Sequence, residues 1–337
     1  MTVARPLLAA LVPVAVALLL CGGVLLAVGV DPLAYYGIVL HRGLLTPLGV
    51  QESLTRAAPL LLIAASLLVS FRAGLWNLGV DGQFLLAAVL VAAICPLVDA
   101  SFGRVPALLA GLLVAPMAGA AWAALPAALR AWRGINEIIT TLMMSFLGAS
   151  LANTLIKLAF RDPATTVPQT RTLPVDDRLP RLFGSTVHLG VPLALLALIG
   201  VHLLLARTSF GLRLRTLGES PRAAHHMGLH VPRLSASALL LSGALAGLAG
   251  GVDILGVWGT VRADWNPAYG LTVIPIVLLA RLNGLAAAAL AWLLAVLAVG
   301  SESAAIHLGV PSFFNLLFMA TVLVLIAVSR RLRGGVG

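Results

Sequence analysis

Charge is what this sequence has least of: only 10% of its 337 residues are Asp, Glu, Lys or Arg, against about a quarter in soluble domains. Too little polar surface remains to cover a water-soluble core of this size, so the excess apolar surface has to face lipid. Lysine occurs once, at Lys157. No Gly-x-x-x-x-Gly-Lys phosphate loop can be assembled around it, which excludes ATP hydrolysis by this chain. Cysteine occurs twice, at Cys21 and Cys95, both in apolar runs; that excludes a disulfide framework and a Cys-based metal site and leaves small packing side chains. The basic excess of +10 is scattered between apolar runs, which excludes an aromatic-interleaved basic face for nucleic acid. In a membrane such an excess sets orientation instead.

What the sequence does have is apolar length: 60% of residues belong to the AVILMFWYC set and the mean hydropathy is +1.05. A bilayer span takes about 20 apolar residues. Apolar runs occupy 7–30, 53–71, 83–98, 106–129, 135–159, 189–206, 235–256, 265–280, 284–302 and 312–329. The first is too long for a signal-peptide core and ends in no cleavage site, so it is read as a retained span kinked at Pro13. The expected fold is all-α, a polytopic transmembrane helical protein of about ten spans with short or broken helices, forming one transmembrane domain over 1–337. With the N-terminus inside, thirteen basic residues fall on the inner side and nine on the outer, and every inner segment carries arginine. That pattern places both termini in the cytoplasm.

Two connections exceed turn length. The outer one, 160–190, contains Pro163, Pro168, Pro174 and Pro180 and suits an ordered, non-helical cap, either a solvated connector or a partner-docking surface. The inner one, 207–233, holds a short helix with written ends: Ser220 as N-cap, Pro221 at the first helical position and Gly228 as the stop. Two turns of helix are not stable alone in water, so the membrane surface or another protein has to hold them.

Polar side chains inside apolar runs are functional candidates by default. The densest group lies in Arg72-Ala73-Gly74-Leu75-Trp76-Asn77-Leu78-Gly79-Val80-Asp81-Gly82-Gln83. It reads as a broken helix facing a cavity, with Asn77, Asp81 and Gln83 along a translocation path, or as an ordinary cytoplasmic turn in which Asp81 is an N-cap. The run Leu271–Ala280 is also short and holds Pro275; paired short or interrupted segments point to a transport site near the bilayer midplane. Glu137 is expected to sit at a helix N-terminus and pair with Arg133. Gly243, Gly247 and Gly251 form a small-residue ridge for helix packing. His225, His226 and His230 read as surface residues, not metal ligands.

The stretch Arg72 to Gln83 resembles the Gly-Leu-x-Asn-Ile-Gly-x-Glu-Gly-Gln motif of ABC importer permeases of the simple-sugar and nucleoside group, within the branched-chain amino-acid permease superfamily. Gly134 to Met143, Gly218 to Ala224 and Ser242 to Gly250 are similar to further motifs of that family, in the same order. Asp81 replaces the usual Glu and Ser220 the usual Asn, both conservatively. The resemblance implies a transport subunit of the bacterial cytoplasmic membrane, not an enzyme, without cofactors of its own, ATP and Mg²⁺ being handled by partners. It implies cytoplasmic ATPase subunits, a second related permease and an external solute-binding lipoprotein. The inner-loop helix would be the coupling helix, with Glu219, Ser220, Pro221, Arg222, Ala223, Ala224 and Gly228 as its docking residues. Nucleosides or simple sugars lead as substrates, with another small polar metabolite open.

Two other classes compete. An intramembrane serine protease needs Gly-x-Ser-Gly, whereas Gly148-Ala149-Ser150-Leu151 lacks the last glycine; a prenyl-type transferase needs paired acidic motifs, and Asp176-Asp177 stands alone. A stand-alone carrier or channel has no use for a capped inner-face helix.

Overall fold

The computed structural model describes residues 16 and 18–310 apart from 183, together with 314, 320, 321 and 324. The helices are α1 (Leu18–Ala27), α2 (Pro32–Leu40), α3 (Pro47–Arg72), α4 (Val80–Phe102), α5 (Arg104–Arg133) and α6 (Glu137–Thr154, continuing to Leu158). They continue with α7 (Gly190–Arg207), α8 (Ser209–Glu219), α9 (Pro221–His226), α10 (Val231–Asp253), α11 (Tyr269–Leu279) and α12 (Gly284–Leu308). Among the described residues no strand forms, and seven helices are long and apolar enough to cross a bilayer: α3, α4, α5, α6, α7, α10 and α12. Shorter helices α1 and α11 answer to two more of the sequence runs. Most of the run 312–329, and the kink expected at Pro13, lie outside the described residues.

Two helices were not legible as apolar runs, yet both carry cap signatures. Asp31 caps α2 by accepting the Leu33 N–H at 2.9 Å, with Pro32 at the first helical position. Thr208 caps α8 by accepting the Gly211 N–H at 3.2 Å.

The chain divides into two compact units, 1–57 with 292–337, and 58–291. In the smaller, Cys21, Leu25, Tyr35, Val39, Ala304 and Phe314 form a buried apolar cluster. There the Tyr36 hydroxyl donates to the Leu18 carbonyl at 2.6 Å, and Arg56 pairs with Glu302 at 2.6 Å.

In the larger unit α10 is central. In its most apolar 18-residue stretch 78% of residues are buried, against 22% in α6, which leaves α6 mainly facing outward. The glycine ridge explains why α10 can sit there. A Cβ on Gly243 would lie 2.5 Å from the Ala123 Cβ, and one on Gly247 would lie 2.9 Å from the Gly119 Cα, so α10 and α5 meet backbone to backbone. Gly250 meets α4 in the same way, 3.2 Å from the Ala88 nitrogen if it bore a Cβ. Within lipid, such close packing replaces the hydrophobic drive that water would supply.

Among the described residues, the connection 160–189 has a short 3₁₀ turn at Val175–Asp177 as its helical part. Its backbone bonds to the far end of α10, where the helix loosens into a π turn at Ile254–Trp258: Leu179 N–H to Leu255 O at 2.9 Å, Leu173 N–H to Gly259 O at 2.8 Å, and Thr170 N–H to Val261 O at 3.0 Å. Proline supplies no N–H, which suits a segment that borrows its partners from a neighbouring element.

Candidate functional site

Helix α3 ends because Gly74 turns left-handed, at φ +70°, a conformation that costs glycine nothing. The chain then runs without regular structure to Gly79. Buried backbone freed in this way needs partners, and Asn77 supplies several. Its Oδ1 accepts the Gly79 N–H at 3.0 Å, and its Nδ2 donates to Gln83 Oε1 at 3.0 Å and to the Ser242 hydroxyl at 2.9 Å. Ser66 closes the network on Ser242 at 2.9 Å. Asn77, Gln83, Ser66 and Ser242 are all buried. From α6, the Thr141 hydroxyl accepts the Leu78 N–H at 3.1 Å and Ser145 donates to the Leu78 carbonyl at 2.8 Å. These residues lie four and eight positions inside the start of α6, about 6 and 12 Å along its axis. The segment is therefore a break within the helical bundle and not a turn at its end.

The alternative role of Asp81 as the N-cap of its own helix is overturned. Gly79 holds that position, and the Asp81 carboxylate is engaged elsewhere. It accepts the Gly270 N–H at 2.7 Å and the Leu271 N–H, the second and third amides of α11. A Cβ on Gly270 would lie 2.8 Å from Asp81 Oδ1, so only glycine admits this approach. At the other end of α11, Arg72 donates to the Leu282 carbonyl at 3.2 Å. One break thus clamps the second interrupted segment at both ends, carboxylate at the positive pole of the helix and guanidinium at the negative pole. With 11 residues, α11 spans about 16 Å, roughly half the hydrocarbon thickness. Residues 259–268, expected as part of a span from 265 on, are irregular up to Ala268.

Further along the chain, α8 and α9 lie within the connection 207–233. The Ser220 hydroxyl accepts the Ala223 N–H at 3.2 Å, and Gly228 turns left-handed at φ +76°, so both written ends of α9 are present. Ala224 is buried, while Glu219, Pro221, Arg222 and Ala223 are exposed and Ser220 is half-buried. Gly218 of α8 rests on the break: a Cβ on Gly74 would lie 3.0 Å from the Gly218 Cα, and one on Gly218 would lie 2.9 Å from the Gly74 nitrogen. A cavity of about 250 Å³ beside this contact is lined by Gly74, Leu75, Arg130, Gly218 and Pro221.

Glu137 follows the N-cap Asn136, whose Oδ1 accepts the Ile138 N–H at 2.9 Å. Its carboxylate pairs with Arg130 at 3.3 Å and not with Arg133 as expected. Left-handed Gly134 folds the chain back over the last turn of α5, bringing Glu137 to Arg130, while Arg133 stays exposed.

In the cap, Arg178 donates to the Val257 carbonyl at 2.6 Å and to the Leu173 carbonyl at 3.0 Å. His188 accepts the Gly190 N–H on Nδ1 at 3.0 Å. Burial pushes its pKa down to about 4, with the Arg181 guanidinium acting in the same direction.

Seven membrane-length helices, two interrupted segments and a capped loop narrow the choice of family. The sequence matches the branched-chain amino acid transport system permease component family over residues 49–328. The chain belongs to that family. It is similar to a glucose ABC transporter permease protein of Haloferax volcanii, 34% identical with 95% of this chain and 88% of the relative covered. It is also similar to a guanosine ABC transporter permease protein of Bacillus subtilis, 28% identical with 84% and 82% covered. A nucleoside ABC transporter permease protein of Lactococcus lactis is 26% identical, with 73% and 70% covered. No solved structure matches the chain. The chain is a multi-pass membrane permease of the ABC transporter class, a transport subunit and not an enzyme.

Proposed function

We propose that this permease forms the path of an ATP-driven importer for a small polar solute, a nucleoside or a simple sugar, in the bacterial cytoplasmic membrane with both termini inside. Cytoplasmic ATPase subunits dock on α8 and α9 through Glu219 to Ala224 and Gly228. A second related permease completes the path, and an external solute-binding lipoprotein delivers the solute. The chain itself binds no cofactor; ATP and Mg²⁺ belong to the ATPases. The backbone contact of Gly218 with Gly74 carries this reading: movement of the coupling loop is passed directly to the break. From there Arg72 and Asp81 pass it to both ends of α11. Asn77 and Gln83 act along the path by holding the break in shape, and Asp81 acts by holding the half-helix. Such a chain of rigid contacts is how a small shift at one face becomes a rearrangement at another.

The test is reconstitution of the whole transporter with residues 219–228 replaced by a flexible linker. ATP-dependent uptake and co-purification of the ATPase are both expected to disappear; their survival would sink the coupling assignment. Titrating the binding protein with nucleosides and sugars identifies the cargo.

A further inference from the structure

At the end of the larger unit remote from α8 and α9, a cavity of about 160 Å³ opens between α4, α6 and the irregular segment that precedes α11. Its walls differ. Leu85, Val89 and Ile156 supply apolar lining, Asn153, Trp265 and Asn266 an indole and two amides, and Asp264 a carboxylate. The indole is held in place: Trp265 stacks obliquely on Phe84, ring centres 5.9 Å apart, and meets Trp258 edge-on at 5.9 Å.

The two amides have settled orientations. Asn153 Oδ1 accepts the Asp264 N–H at 2.7 Å and Asn266 Oδ1 accepts the Ala268 N–H at 2.9 Å. Each oxygen holds the loop, so each NH₂ remains as a donor pair. Neither NH₂ group, nor the Trp265 indole N–H, has a hydrogen-bond acceptor among the described residues. Lys157 reaches the Asp264 carboxylate at 3.5 Å, an exposed ion pair. The lining therefore offers amide donors and one carboxylate acceptor against an aromatic face, the pairing that a ring bearing hydroxyl groups can meet.

We infer that this cavity is a solute site for a neutral hydroxylated ring, a monosaccharide, which stacks its C–H face on Trp265 and accepts hydrogen bonds from Asn153 and Asn266. Pockets for drug-sized ligands run to about 300–1,000 Å³, so a cavity of about 160 Å³ suits one ring and not a disaccharide. Leu85 and Val89 lie one and two turns along α4 from Asp81, about 6 and 12 Å from the clamp on α11. A solute here waits at the end of the half-helix that the coupling loop moves. This inference rests on the permease reading above and chooses a sugar over a nucleoside, whose base and ribose together exceed one ring.

Two measurements test it. Saturation-transfer NMR on the full chain in nanodiscs is run with D-glucose, D-ribose and guanosine, and ATP-dependent uptake of the same three is run with the complete transporter. Wild type is expected to bind at least one sugar saturably. Trp265→Ala and Asn153→Asp are expected to weaken that binding about fivefold to tenfold. Asn153→Asp keeps an oxygen for the Asp264 amide but replaces the donor with a second carboxylate beside Asp264, so the melting temperature of each variant is read alongside binding to separate ligand recognition from folding. Equal sugar binding by wild type and both variants, or binding of guanosine alone, overturns the site while uptake by the wild-type transporter still upholds the permease reading. Absence of any uptake by the complete wild-type transporter overturns both.

Discussion

Asp81 and Arg72 show how much a single side chain decides in lipid, where an unpaired backbone amide has no water to turn to. Asp81→Ala leaves the Gly270 and Leu271 amides without their acceptor, at a cost of about 1–3 kcal/mol each. We expect a lower melting temperature in detergent and loss of uptake, with Asp81→Asn intermediate because it keeps one acceptor oxygen. Uptake unchanged in Asp81→Ala would remove α11 from the path. His188 makes a different prediction. Its folded pKa of about 4 lies below the ordinary value of about 6.5, so the unfolded state binds more protons between those values and stability rises with pH there. The contribution of about 3 kcal/mol is fully present above pH 6.5 and is lost as the pH falls towards 4. Melting in detergent across that range should show the slope in wild type, and His188→Asn, which keeps an acceptor for the Gly190 amide but does not titrate, should flatten it.

Among the elements, α8 and α10 are governed by glycines whose value lies in what they touch. Gly218 is inside a helix, where Ala is ordinarily favoured by about 1 kcal/mol. Here the new methyl would lie 2.9 Å from the Gly74 nitrogen, so Gly218→Ala is expected to lower stability and to weaken the link between ATP hydrolysis and uptake. Gly74→Ala adds about 1–2 kcal/mol of left-handed strain to the same crowding. Uptake per ATP hydrolysed is the quantity to follow; a value equal to wild type in both variants would show that motion does not pass through this contact. The ridge on α10 behaves otherwise: Gly247→Leu drives α5 and α10 apart and should abolish the folded protein, read as loss of a monodisperse peak in size-exclusion chromatography. The caps of α2 and α8, missed among apolar runs, were written in the sequence as Asp31-Pro32 and Thr208-Ser209. A hydropathy reading passes over helices too short or too polar to cross a bilayer.

For the whole molecule, the chain alone should carry no active transport: membranes containing it without ATPase subunits are expected to show no ATP-dependent uptake of the three solutes above, and accumulation there would favour a stand-alone carrier. Its helical, membrane-spanning character followed from the sequence because hydropathy and length act locally, residue by residue along one helix. The break at Gly74, the glycine ridge and the capped ends of α9 were legible for the same reason. The partner of each polar group was not. Glu137 pairs with Arg130 across a reversed turn, Asp81 caps a helix 189 positions away, and Asn77 bonds Ser242. The last two join residues distant along the chain, which only packing brings within hydrogen-bond range, and the first depends on how the chain folds back at Gly134. The sequence by itself thus determined that this protein lives in lipid and lacks a phosphate loop, since composition alone answers both. The tertiary structure decided that the two interrupted segments are one clamped assembly resting on Gly218 of α8, because hydrogen-bond geometry depends on which helices become neighbours.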